Sequence, residues 1–443
     1  MASKLKEVML VNSPVHLSHF FPTPPTSLLT IATILENAGF NVGICDVQAE
    51  KMPDETANPL TQKEFEYYIR HQDPQIVGIS CFTENYACAL KAANICKQIN
   101  PDITTIIGGP HVTFRAKQTL EECSSIDYVV RGEGEITMLH LVSTLTKGEN
   151  PKKVKGITFR IKDKVVETEN RPFTNLAELP PPSYHLVDLS HYGNGTMIEC
   201  GRGCPFKCAF CCSSAQWHNS IRFHSAKNIF NQMEFLLSEY KLKWLSFSDL
   251  TFTLNHKRTI NLLDKLLHLG MPNWSVQTRV DCVSKKLLEK MSASNCVSIA
   301  FGVEDIHKNI LSAINKNVDF KQILKAVRLA RKLGIKVNAN FIVGLPKQTR
   351  KDILENVEFA KREIDQPSFP TLTPFPGSEI GENPSKFGLK ILTKEWTKYD
   401  LSHPIVETEF LNACSQEILI QEINETLYSN ENRYHIGFKI TDW

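Results

Sequence analysis

Short apolar runs alternate with helix-length stretches over most of this chain, and that alternation restricts it to an α/β architecture. The pattern predicts strands at Val8 to Val11, Val42 to Cys45 (ending at Asp46), Ile76 to Ser80, Thr105 to Ile107 and Tyr128 to Val130. Helices are expected over Leu28 to Asn37, stopping at Gly39, and over the Ala-rich Tyr86 to Ile99. Strands and helices at such spacings make a parallel, doubly wound sheet, which binds ligands at the carboxyl ends of its strands. Gly108-Gly109-Pro110-His111 follows one of these strands and Arg131-Gly132-Glu133-Gly134-Glu135 the next. Glycine at a strand end lets the backbone approach a ligand or take a positive φ angle, and it equally suits an ordinary strand-to-helix turn.

A hairpin is expected at about Lys155 to Val166, followed by a connector from Arg171 to Leu186. Its three consecutive prolines, Pro180 to Pro182, favour extended geometry and mark a domain boundary. The alternation then resumes, with strands at Met197–Cys200, Trp244–Ser248, Ser275–Arg279, Ser298–Gly302, Lys336–Phe341 and about Phe369–Thr373. Helices lie between them, most clearly at Asn228–Tyr240, Thr259–Leu269, Lys321–Leu333 and Arg350–Glu363. The expected division is 1–148, a linker over 149–190, a second domain over 191–380, and an extension over 381–443 with one helix around Gln416 to Tyr428.

Between the first two strands of the second domain stands Glu199 to Ser213, ECGRGCPFKCAFCCS. Cys204, Cys208 and Cys211 are spaced by four and three, with Pro205 after the first and Phe210 before the last. Three thiolates on one short turn can hold three irons of a [4Fe–4S] cluster, leaving the fourth iron open to a substrate group. The alternative is a structural zinc knot completed by Cys212 or Cys200, although no second Cys or Cys/His hook is visible. Cys81, Cys88 and Cys96, spaced by seven and eight, suit core burial.

Composition narrows the remaining classes. A net charge of +2 and 22% charged residues carry no nucleic-acid signal. No stretch reaches the roughly 20 apolar residues of a membrane span. The 13 cysteines lack framework spacing, so reduced thiols and a cytoplasmic location are expected.

The cysteine spacing, its aromatic residue and the preceding Gly201-Arg202-Gly203 resemble the signature of the radical S-adenosylmethionine (SAM) enzymes. The helix text TSLLTIATILENAGFNV, GGPH after one strand and RGEGE after the next resemble the cobalamin-binding subfamily; the likeness covers about residues 6 to 380. It implies an N-terminal Rossmann-like cobalamin-binding domain, a partial (β/α)6 barrel and a short helical tail. The implied cofactors are a [4Fe–4S] cluster on Cys204, Cys208 and Cys211, SAM, and cobalamin. SAM would meet Phe210, Arg279 through its carboxylate, Gly302 and Glu304 through its amino group or ribose, Asn340 through its ribose, and Gly344 and Pro346 through adenine; a salt bridge to nearby Asp281 is the alternative for Arg279. Cobalamin would meet Ser80, Gly108, Gly109, Pro110, His111, Gly132 and Glu133. Thr373-Pro374-Phe375-Pro376-Gly377 resembles the family's turn over the site, and Asp249, with Thr251 and Phe252, is a candidate for the substrate or SAM shell or for a helix cap.

Two departures stand out. Lys347-Gln348-Thr349 replaces the Gly-Glu-Thr of many relatives, and the cobalt-ligating Asp-x-His-x-x-Gly loop of B12 mutases is missing. His16 and His19 in that first loop suit surface or packing roles. The resemblance implies reductive cleavage of SAM to a 5′-deoxyadenosyl radical and methylation of an unactivated sp3 carbon through methylcobalamin. The substrate would be a small molecule, lipid or peptide, and the electron donor an external flavodoxin or ferredoxin. The alternatives are a cyclase or rearrangement enzyme of the same fold, or a cobalamin or metal sensor without turnover. Methylthiolation of tRNA fits poorly, because no second cysteine triad is present for an auxiliary cluster.

Overall fold

A computed structural model describes residues 7–14, 23–49, 60–162 and 164–427. The chain divides after Tyr192 into two compact units.

In the first unit β1 (Val8–Asn12), β2 (Val42–Asp46), β3 (Ile76–Ser80), β4 (Thr104–Gly108) and β5 (Tyr128–Val130) run parallel. The hairpin β6 (Ile157–Ile161) and β7 (Lys164–Glu167) extends them antiparallel, giving the order β2-β1-β3-β4-β5-β6-β7. Val8 to Val11 are buried, which is why that strand reads as one continuous apolar run. β1 lies between β2 and β3, so the connections change direction there and open a crevice at the carboxyl ends of β1 and β3. The ends are in line: Asn12 is level with Ser80, Ser80 with Gly108, and Gly108 with Val130.

Two expectations change in this unit. The hairpin, expected in the linker, pairs Ile157, Thr158 and Phe159 with β5, covering an edge that would otherwise be bare. The Pro-rich connector packs back on the helix Thr26–Asn37, where Ser183 N donates to Leu29 O at 3.2 Å and Ser183 Oγ to Glu36 Oε2 at 2.6 Å. It ends with Tyr192 Oη donating to Asp46 Oδ2 at 2.7 Å. The helix Gln62–Gln72, unforeseen in the sequence, is announced by its capping box, Thr61 with Glu64.

In the second unit a short hairpin, β9 (Gly201–Gly203) with β10 (Ile221–Phe223), follows the first strand β8 (Gly195–Ile198). Then come β11 (Trp244–Phe247), β12 (Asn273–Arg279), β13 (Cys296–Glu304), β14 (Lys336–Phe341) and β15 (Gln366–Ser368). All but the hairpin form one six-stranded parallel sheet in chain order, whose edge strands β8 and β15 do not pair, so the barrel stays partial. Burial alternates along the strands. Leu245, Phe247, Trp274, Val276, Ile299, Phe301, Val337, Ala339 and Phe341 are buried. Phe341 meets Phe359 of the helix Arg350–Glu363 at a 6.2 Å centroid distance, marking that face as the helix side. The opposite face carries Ser246, Ser275, Gln277, Ala300, Asn338 and Asn340, small or polar and more exposed.

Here too the strand boundaries differ from expectation. The first strand ends at Ile198, so Cys200 lies beyond it. The sixth strand is Gln366–Ser368, earlier than Phe369–Thr373, because Pro370 has no N–H to donate to the ladder. Just past it Val343 and Thr371 form an isolated bridge, and Phe369 stacks on Phe341 at 5.0 Å. The C-terminal helix is Ala413–Leu427, with Tyr428 outside the described residues. Its Leu419 and Ile423 join Val343, Ile353 and Val357 in one buried cluster, so the extension caps the unit. No helix among the described residues is long and apolar enough to cross a membrane.

Candidate active site

The cysteine loop is stapled at its base. β9 pairs with β10 so that Gly201 lies opposite Phe223 and Gly203 opposite Ile221. Gly203 takes φ +102°, and a β-carbon there would collide with the Ser220 carbonyl. The two glycines of Gly201-Arg202-Gly203 thus make a tight hairpin neck for residues 204–220. Asp249 holds the neck from below: its Oδ1 accepts Cys200 N at 2.7 Å and Gly201 N at 3.0 Å. It does not cap the following helix, a role that Asn255 takes. Burial pushes the Asp249 carboxyl up to about 7, against the backbone N–H groups and Arg258. Its Oδ2 has no hydrogen-bond partner among the described residues. Phe252 is a core residue, stacked on Phe247 at 4.5 Å.

Within the loop, Cys204 and Cys211 are half-buried and Cys208 buried. Cys204 Sγ lies 3.8 Å from Thr251 Oγ1, and Cys211 Sγ donates to Ser213 Oγ at 3.2 Å. Backbone bonds from Ala209 N to Ile314 O and from Ile380 N to Ala209 O, both 2.9 Å, fix the middle of the loop. Burial raises the Cys208 thiol, while Lys316 and Arg279 pull it back and Cys211 and Glu304 add to the rise. Cys212 is pushed up to about 12, and burial raises the Cys200 thiol as well. No three His, Cys, Asp or Glu side chains converge on one point among the described residues. A cluster, unlike a single ion, separates its thiolates by its own iron–sulfur cage. Three thiols spread over one loop beside two cations fit that demand, and a fourth cysteine is not needed.

Glu304 owes its position to a β-bulge. The β13–β14 register shifts between Gly302 and Glu304, and Glu304 takes φ +64°. Bulges of this kind re-aim a side chain beside a site. The carboxylate accepts Lys316 Nζ at 2.8 Å, and both groups are buried. A β-carbon at Gly302 would stand 2.6 Å from Glu304 Oε1 and 3.0 Å from Lys316 Nζ, which accounts for that glycine.

Arg279 takes the alternative reading, a salt bridge to Asp281. Instead of standing free for a ligand carboxylate, Nε and Nη2 donate to the two oxygens of Asp281 at 2.9 Å. The turn Val280–Cys282 brings Asp281 back to it. Phe206 lies under the guanidinium at 3.7 Å. Phe210 is half-buried. Asn340 is exposed on the polar face, and Asn338 Oδ1 beside it has no partner among the described residues.

Gly344, at φ +88°, is covered by Gln416 of the C-terminal helix, whose Oε1 would lie 2.5 Å from an added β-carbon. The turn through Pro346 is held by a residue that sequence reasoning passed over. Gln348 Oε1 accepts Gly344 N at 2.8 Å and Leu345 N at 3.2 Å, while its Nε2 donates to Asp305 Oδ2 at 2.8 Å and Ile342 O at 3.0 Å. An amide can do both; a glutamate there could not donate to Asp305. The departure Lys347-Gln348-Thr349 was the signal. Phe375 N bonds to Thr373 O and Ser378 N to Phe375 O, closing the turn through Gly377.

In the first unit, Ser80, Gly108, Gly109 and Pro110 stand at the carboxyl edge of the sheet. Gly109 is required by its neighbour: at φ +127° an added β-carbon would collide with the Cys81 carbonyl. Gly132, at φ +72°, faces open space. Two residues differ from expectation. His111 is 1% exposed, lies tilted against Tyr86 at 4.3 Å and sits 3.2 Å from Thr83 Oγ1, with burial lowering its pKa to about 3. Its ring is part of the core. Glu133 accepts Thr174 N at 2.6 Å and anchors the connector. Sequence reasoning missed Phe82, 46% exposed just past β3, and Ser13, whose buried Oγ has no partner among the described residues. An exposed ring and an unsatisfied hydroxyl at adjacent strand ends fit a flat corrin fringed with amides. His16 and His19 lie outside the described residues.

Comparison with known proteins gives two domain matches: the B12 binding domain over residues 15–142 and the radical SAM superfamily over residues 198–360. An uncharacterized methyltransferase from Pyrococcus horikoshii is 36% identical over 85% of this chain and 84% of its own. The chain belongs to the B12-binding radical SAM family. It is an enzyme of that family, and its cofactors are a [4Fe–4S] cluster, SAM and cobalamin. The anaerobic magnesium-protoporphyrin IX monomethyl ester cyclase of Rubrivivax gelatinosus is 28% identical over 94% of this chain and 74% of its own. Among solved structures, the radical SAM methyltransferase TsrM from Kitasatospora setae, with cobalamin and a [4Fe–4S] cluster bound, shares the fold at a TM-score of 0.75. The match has 17% identity and covers 98% of this chain and 90% of that one.

Proposed function

We propose that this B12-binding radical SAM enzyme methylates an unactivated sp3 carbon of a small polar metabolite. The observation that carries the reading is the stapled loop of Cys204, Cys208 and Cys211, set directly after β8 and beside the re-aimed Glu304. When bound, the cluster with SAM supplies a carbon radical and the corrinoid carries the methyl group. Cys204, Cys208 and Cys211 hold three irons and leave one position open. Glu304, paired with Lys316, receives the SAM amino group; the turn Gly344 to Pro346 meets adenine, and Asn340 the ribose. Ser80, Gly108, Gly109, Pro110 and Gly132, with Ser13 and Phe82, serve the corrin. Gln277 and Asn338 on the polar sheet face offer hydrogen bonds to substrate, which favours a polar molecule over a lipid. The electron comes from an external flavodoxin or ferredoxin.

Anaerobically reconstituted protein tests this directly. Added SAM is expected to shift the electron paramagnetic resonance signal of the reduced cluster, and protein purified with hydroxocobalamin is expected to keep corrinoid absorbance. An unperturbed signal removes the radical reading, and a colourless protein with an intact cluster removes methyl transfer. The likeness to the Rubrivivax cyclase supports a second reading, ring closure by the same radical. A product without an added methyl group would favour it.

A further inference from the structure

Arg279 ends β12 at 7% exposure, and its surroundings leave its guanidinium little freedom. Asp281 takes Nε and Nη2, each at 2.9 Å, and Phe206 covers one face at 3.7 Å. The remaining Nη1 points at sulfur, donating to Cys208 Sγ at 3.5 Å. A planar fork fixed on two prongs aims its third donor in one direction, which a lysine in the same place would not do. Cys208 is the middle thiol of the loop and the most buried of the three.

The geometry points to Arg279 as a positioning residue that raises the reduction potential of the cluster on Cys204, Cys208 and Cys211 by donating an N–H···S bond to Cys208. The inference rests on the cluster reading of those cysteines. One electron enters from an external low-potential donor, a flavodoxin, a ferredoxin or dithionite; no proton moves and no bond breaks. That electron adds negative charge spread partly over the sulfurs. A hydrogen-bond donor and a fixed cation at one of them stabilise the reduced form more than the oxidised form. Phe206 keeps water off the guanidinium face, so the charge acts at low screening.

A redox titration of the full chain, reconstituted anaerobically and followed by electron paramagnetic resonance, tests this with Arg279→Met and Arg279→Lys. Arg279→Met is expected to keep wild-type iron content and lose at least tenfold in the reduction equilibrium, about 59 mV toward negative potential for one electron. Arg279→Lys, which keeps the charge without the fork, is expected to fall between it and wild type. Wild-type potentials in both variants would overturn the inference. So would loss of the cluster from both, because Arg279 would then hold the cluster rather than tune it. A wild-type chain that takes up no iron would refute the cluster reading itself, before any variant is measured.

Discussion

Glu304 and Lys316 form a buried pair over a glycine that leaves them room, and each is costly without the other. Lys316→Met leaves a carboxylate buried and unpaired, and is expected to cost about 3–5 kcal/mol in urea unfolding. Adding Glu304→Leu is expected to restore most of that loss, since replacing both charges removes the desolvation penalty. Asp249 makes a different prediction. Its folded pKa is raised to about 7 by burial, so its contribution to stability is full below the unfolded value and is lost as pH rises through about 7. Asp249→Asn keeps the carbonyl that accepts Cys200 N and Gly201 N. Its stability is therefore expected to be flatter than wild type from about pH 4 to pH 7 in thermal melts at successive pH values. The candidate residues were visible in the sequence because cysteine spacing and a strand-end Gly-x-Glu are local patterns. Lys316 and Phe206 as partners were not, since each meets its partner through a turn or loop that periodicity does not describe.

The cluster loop and the Gly344 turn owe their shape to single contacts at the neck. Gly203→Ala strains a positive-φ position by roughly 1–3 kcal/mol and drives a β-carbon into Ser220. Reconstituted iron content is expected to fall while the far-ultraviolet circular dichroism stays that of wild type. Gln348→Glu sets a second carboxylate against buried Asp305 and removes its donor. It is expected to lower stability by roughly 1–3 kcal/mol, seen as a lower melting temperature. At this scale the sequence was most legible where a strand shows either a short apolar run, as in Ile76–Ser80 and Tyr128–Val130, or a clean alternation, as in Lys336–Phe341, and these lie where periodicity puts them. The sixth barrel strand was misplaced because Pro367 and Pro370 interrupt the apolar signal, leaving three residues to pair with β14. The hairpin β9–β10 escaped notice because a glycine–arginine–glycine segment carries no alternation.

Across the whole molecule, both units present functional candidates at the carboxyl ends of parallel strands, the edge to which α/β connections direct ligands. That rule made the two-part architecture readable from strand–helix alternation alone, whereas the path of the Pro-rich connector, packed on the first helix through Ser183 and Thr33, depended on contacts more than a hundred residues apart. The account depends on three thiols at one open iron. The direct measurement is iron content and SAM-dependent 5′-deoxyadenosine release after anaerobic reconstitution, comparing wild type with the Cys204→Ala, Cys208→Ala, Cys211→Ala triple variant. Wild type is expected to bind iron and release deoxyadenosine under reduction, and the variant to do neither. Equal iron and equal release in both would contradict the account.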